Sequence, residues 1–102
     1  MVKYNPTTID EIFNALSHQV RREIFQKLLE KACNVTELAE PFDISLPAIT
    51  KHLHILERAN LISREKQGRK YVLTINSRPL LEVKKWLILY EKFWIDKLES
   101  SL

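Results

Sequence analysis

The chain has 102 residues, 45% of them hydrophobic, with a formal net charge of +3, one Gly, four Pro and one Cys. That length suits one domain spanning 1–102, without repeat, linker or low-complexity run. It excludes a membrane span, since no apolar run nears the roughly 18 residues required, and an intrachain disulfide, since Cys33 is the one cysteine.

The start, Met1 to Pro6, has no apolar segment followed by a cleavage site, so no secretion signal is expected. A lone cysteine suits a reducing cytoplasm, the expected location. A domain this small buries only about two-thirds of its unfolded surface, so pairing with a second copy would help it.

Thr8 with Glu11 three residues on has the form of a capping box and predicts the first helix, with Ile9, Ile12, Phe13 and Leu16 on one stripe. Ser17 is expected to cap a second helix carrying Val20, Ile24, Phe25, Leu28 and Leu29. Asn34 with Glu37 opens a short third helix bearing Val35, Leu38 and Ala39. Pro41 ends or distorts it, and Phe42-Asp43-Ile44 makes a turn. Ser45 caps the fourth helix, from Leu46 to about Arg58, where Pro47 is tolerable because first-turn amides have no intrahelical acceptor.

Two strands follow, Leu61–Lys66 and Lys70–Ile75, joined by Gln67-Gly68-Arg69. Gly68 sits at the tip, where a positive φ is easiest without Cβ. Tyr71, Leu73 and Ile75 alternate with polar neighbours and are expected to face inward. Pro79 starts a last helix to about residue 99, long enough for roughly 30 Å.

The fourth helix separates into two faces. Ile49, Leu53 and Leu56 share a buried stripe, while Pro47, Thr50, Lys51, His54 and Arg58 form a short, polar, cationic side. A helix like this can be anchored by a core and still present base-reading and phosphate-binding groups. Charge concentrates in the same region. Between Ser45 and Tyr71 stand Lys51, Arg58, Arg64, Lys66, Arg69 and Lys70 against Glu57 and Glu65, a local excess of +4. The layout, a helix-turn-helix over about 34–59 and a basic hairpin over about 61–76, is that of a winged helix-turn-helix, mainly α with a small β-hairpin in α-α-α-α-β-β-α order. Its implied partner is double-stranded DNA. Ser45, Ala48, Thr50, Lys51 and His54 are expected in the major groove, with Pro47 and Arg58 on the same face. Arg64, Lys66, Arg69 and Lys70 are expected on phosphates.

The last helix has more apolar residues than one docking face uses. Leu80, Val83, Leu87, Tyr90, Trp94 and Leu98 form one stripe, and Trp86, Leu89, Phe93 and Ile95 remain on other faces. Surplus apolar faces rich in aromatics mark an interface. The terminal helices are therefore expected to form a homodimer through Ile9, Phe13, Trp86, Leu89, Tyr90, Phe93 and Trp94; deeper burial within one chain is the other reading.

Several strings carry a family resemblance. Ala15-Leu16-Ser17-His18-Gln19-Val20-Arg21-Arg22-Glu23-Ile24 resembles the opening of the second helix in ArsR-family repressors. Asn34–Ala39 followed by Ser45–Leu53 is similar to that family's helix-turn-helix, and Leu56–Ile62 resembles its exit into the wing. The match runs from about Leu16 to Leu98. It implies a prokaryotic homodimeric repressor on a two-fold symmetric operator. The aromatic end, Trp86–Tyr90 with Phe93-Trp94, resembles the branch that senses no metal. The thiolate pair that metal-sensing members carry on the third helix is missing from Asn34–Ala39, and the last helix has carboxylates but no histidine. His52 and His54 lie about 200° apart around a helix, too far to share one ion. No metal or other cofactor is expected.

The chain lacks a nucleophile elbow, paired catalytic carboxylates and a Gly-rich phosphate loop, so no enzymatic activity is expected. Two functions remain: a sequence-specific regulator of transcription, or a protein-interaction module on the same scaffold that has lost DNA binding. The residues do not identify an effector.

Overall fold

The computed structural model describes residues 6–100, with side chains from 8 to 99. Met1–Asn5, where no secretion signal is expected, and Ser101–Leu102 lie outside the described residues. The elements are α1 (Pro6–Ala15), α2 (Gln19–Glu30), α3 (Val35–Ala39), α4 (Leu46–Arg58), β1 (Ile62–Gln67), β2 (Lys70–Ile75) and α5 (Leu80–Ser100). β1 and β2 pair antiparallel, so the element order and the small hairpin are as expected.

The helix starts mix confirmation and correction. Asn34 and Glu37 complete a capping box: the Asn34 side chain accepts from the Glu37 amide at 2.8 Å, and the Glu37 carboxylate accepts from the Asn34 amide at 3.3 Å. Ser45 Oγ accepts from the Ala48 amide at 3.3 Å and caps α4. Thr8 does not start α1. The helix begins at Pro6, a residue type suited to a first turn because it has no N–H to leave unpaired. Ser17 does not cap α2 either. Its hydroxyl donates backward to the Asn14 carbonyl at 2.6 Å, and His18 Nδ1 accepts from the Val20 amide at 3.1 Å instead.

α4 is the hub of the packing, touching α1, α2, α3 and β1. Ile49, Leu53 and Leu56 are fully buried with Ile12, Ile24, Leu38, Leu61 and Leu73. Leu29, expected on the inner stripe of α2, is 59% exposed because the buried face runs through Arg21, Ile24, Phe25 and Leu28, and Leu29 lies about 100° further round the helix than Leu28.

α4 ends in a tight reversal. Asn60 takes φ +63°; its amide donates to the Glu57 carbonyl at 2.9 Å, and the Leu61 amide donates to the Leu56 carbonyl at 3.0 Å. This bond pair is a Schellman motif with asparagine in the left-handed position, and the buried Leu56 and Leu61 supply its apolar contact. The chain thus passes directly from α4 into β1. Asn76 closes the hairpin base: its amide donates to the Leu61 carbonyl and its side chain to the Asn60 carbonyl, both at 2.9 Å. Cys33 adds a one-residue strand on the far side of β2, exchanging backbone hydrogen bonds with Leu73 at 3.3 and 2.8 Å.

α5 corrects the expected docking stripe. Leu80 and Val83 pack on the core, and Trp86 meets Phe13 of α1 edge-on at 5.5 Å between ring centroids. Leu87, Tyr90, Trp94 and Leu98, expected on the same intrachain stripe, are exposed. The helix has run past the end of the domain. The radius of gyration shows it: 16.5 Å, against roughly 13 Å for a compact chain of this length, with a longest extent of 54 Å.

Candidate nucleic-acid interface

The buried stripe of α4 leaves Pro47, Lys51, His54 and Arg58 exposed on one side, as their spacing requires. Ala48 and Thr50 are half-buried at the margin, and Ser45 is exposed at the cap. The hairpin carries the second group. Gln67 pairs with Lys70 across the two-residue loop Gly68-Arg69. Gly68 has φ +65°, whereas Arg69 is not among the positive-φ residues, which matches a type II′ turn with glycine in the first loop position. Lys66, Arg69 and Lys70 are exposed around this tip.

Among the described residues, Lys51, Arg58, Lys66, Arg69 and Lys70 make no ion pair within the chain. Their charge is left for an external anion. Arg64 differs from the other expected phosphate ligands. Its Nη2 donates to Glu57 Oε1 at 2.9 Å, and its Nε reaches both carboxylate oxygens at 3.1 and 3.2 Å.

Tyr71 corrects the expected inward row of β2. It shares a hairpin face with Leu73 and Ile75, yet it is 57% exposed while Leu73 is 1%. The alternation holds; the hairpin has simply projected beyond the body. Tyr71 sits opposite Lys66 in the ladder, adding an aromatic ring to the basic tip that sequence alone assigned to the core.

Behind the exposed side of α4 lies a polar anchor. Arg21 is only 8% exposed. Its Nε donates to the Ala15 carbonyl at 2.7 Å, and its Nη2 to the Asn14 carbonyl at 3.2 Å. Arg22 donates to the Leu16 carbonyl at 2.9 Å. The arginine pair therefore satisfies carbonyls that the end of α1 leaves without intrahelical donors. Arg21 Nη1 also donates to His52 Nδ1 on α4 at 3.2 Å. Burial, then the neighbouring charges of His18 and Arg21, push the His52 pKa below its ordinary value. The adjacent Arg21-Arg22 is visible in the sequence, but neither its burial nor its acceptors follow from helical spacing.

Of the residues expected at a dimer interface, Ile9 is already 5% exposed within its own chain and offers little to a partner. Phe13 is exposed while touching Trp86, and Leu89, Tyr90, Phe93 and Trp94 are exposed along α5. Burial raises the Cys33 thiol pKa, with Glu37 adding to the rise and Lys27 and Lys31 opposing it, so the group is a poor nucleophile. Among the described residues, no three His, Cys, Asp or Glu side chains gather as a metal site. No helix there is long and apolar enough to cross a membrane.

A model of a helix-turn-helix domain matches residues 16–65. The chain is 31% identical over 80 residues to the transcriptional repressor SdpR of Bacillus subtilis (strain 168), covering 78% of this chain and 89% of that one. A crystal structure of an ArsR family transcriptional regulator superposes with a TM-score of 0.80 at 37% identity, over 92% of this chain and 96% of the other. A solution structure described as the homodimeric winged helix-turn-helix DNA-binding domain of a possible ArsR-family regulator from Mycobacterium bovis has a TM-score of 0.65 at 17% identity, over 85% and 82%. At that identity it speaks for the fold alone.

Proposed function

The chain belongs to the ArsR family of winged helix-turn-helix transcriptional regulators, and on that premise we propose that it is a cytoplasmic homodimeric repressor that occludes a promoter by binding a two-fold symmetric operator. One observation carries the proposal: the exposed side of α4 and the hairpin tip both hold cations without an ion pair among the described residues, while the opposite side of α4 is sealed in the core. In this reading α4 enters the major groove. Lys51 and Thr50 reach base edges or phosphates, Ser45 and His54 lie beside them, and Ala48 touches a thymine methyl. Pro47 lets the first turn approach closely, and Arg58, Lys66, Arg69 and Lys70 take phosphates.

The exposed aromatic end of α5 supports dimerisation, since a monomer would leave Leu89, Phe93 and Trp94 in water. Two copies related by a two-fold axis would read half-sites about one helical turn apart, or a multiple of that. The absence of a thiol from Asn34–Ala39 supports a regulator outside the metal-sensing branch.

The test begins with genomic fragments selected by the protein, followed by titration of selected and random duplex over a range of salt. Lys51→Ala should weaken the operator more than random DNA. Lys66→Ala or Arg69→Ala should weaken both alike and reduce the salt slope by about 0.9 per lost phosphate contact. Operator affinity unchanged in Lys51→Ala would refute the groove assignment. No affinity for any duplex at low salt would favour a protein-interaction module.

A further inference from the structure

Glu57 stands where simple electrostatics disfavours a carboxylate. It lies in the last turn of α4, at the negative end of the helix dipole, and next to Arg58 on the face read here as DNA-binding. Arg64 of β1 holds it through Nη2 and Nε at 2.9 to 3.2 Å, in the two-point geometry that a planar guanidinium favours. The side chains are 34% and 28% exposed, so the pair is partly shielded from solvent.

Its position matters more than its strength. The hairpin is tied to the end of α4 at its base by Asn76 and by the Schellman turn. Arg64 sits two residues out from Ile62 on the same hairpin face, between the base and Lys66. At the level of Arg64 the β2 edge is already held, because Leu73 is buried and exchanges backbone hydrogen bonds with Cys33; the Glu57–Arg64 pair fastens the β1 edge to α4 at that level and so sets the tilt of the hairpin about β2.

We propose that Glu57 and Arg64 form a brace that aims the wing. Arg64 then serves DNA binding as a positioning residue for Lys66, Arg69 and Lys70, not as a phosphate ligand, and Glu57 promotes binding despite its charge. The inference rests on the DNA-binding reading above. It makes a prediction of opposite sign to charge alone: neutralising an acid beside a polyanion should tighten binding, whereas losing the brace should loosen it.

The experiment compares the full chain with Glu57→Gln, Arg64→Met and the double variant. Operator affinity should fall roughly two- to fivefold in each single variant, the range expected of a partly exposed ion pair. The double variant should be no weaker than the worse single one, because both remove the same contact. Residual dipolar couplings of the hairpin amides, recorded without DNA, should shift relative to those of α4 in Glu57→Gln. Glu57→Gln binding as tightly as the parent or tighter overturns the brace, as do unchanged couplings. A parent chain with no duplex affinity overturns the regulator reading and the affinity half of this inference, while the DNA-free couplings still decide whether the brace exists.

Discussion

Arg21 donates to Nδ1 of His52 at 3.2 Å and thereby joins the carboxyl-terminal end of α1, the start of α2 and the middle of α4. A guanidinium has no acceptor, so Nδ1 must be unprotonated and His52 neutral. The His18 ring lies 4.6 Å from that of His52, so a proton on His52 would meet Arg21 on one side and a second imidazole on the other.

Stability should therefore depend on pH through His52. Its folded pKa is lowered, so the unfolded chain binds the proton more readily. The contribution is fully present above the unfolded value of about 6.5 and is lost progressively as pH falls from there through the folded pKa. Thermal melts at pH 7.5 and 5.5 should show a smaller loss for His52→Gln than for the parent. Equal losses would remove His52 as the cause.

Leu53 and His54 are neighbours about 100° apart around α4, the first turned to the core and the second to solvent. Leu53 is fully buried, and Leu53→Ala should cost about 2–5 kcal/mol in urea unfolding. His54→Ala should stay within about 0.5 kcal/mol. Comparable losses would mean that α4 is rotated from the orientation described.

At Gly68 an added Cβ meets nothing within 4 Å, so substitution there is opposed only by the backbone angle of +65°. Gly68→Ala and Gly68→Asn should each cost about 1–3 kcal/mol, since the first position of a type II′ turn lies outside the left-handed helical region that asparagine tolerates. Urea midpoints of the two variants against the parent measure the cost, and a near-neutral Gly68→Asn would refute the type II′ assignment.

Trp94 is 64% exposed in one chain and belongs to no intrachain core. Trp94→Glu should leave the folded monomer intact but halve the mass found by sedimentation equilibrium, with loss of operator affinity. A mass identical to that of the parent would show that α5 does not hold two copies together.

Much of the fold was legible because local chemistry decides it. The Asn34–Glu37 box, the Ser45 cap and the Gly68 turn each depend on residues within four positions, so no distant contact can revise them. The failures have two causes. One is local competition: Ser17 and His18 can each cap a helix, and the Asn14 carbonyl three residues back took the Ser17 hydroxyl. The other is tertiary. Glu57 and Arg64 look like two ordinary surface charges until the reversal at Asn60 brings them together.

Sequence by itself determined which residues share a face: Ile49, Leu53 and Leu56 within, Lys51, His54 and Arg58 without. Helical periodicity is a property of the backbone and needs no partner. Only the tertiary structure decided what stands opposite each face. Tyr71 and Trp94 continue apolar rows that begin in the core, and both end in solvent because the body stops before the hairpin and α5 do. Burial depends on where the neighbouring elements end, and that distance is set by packing.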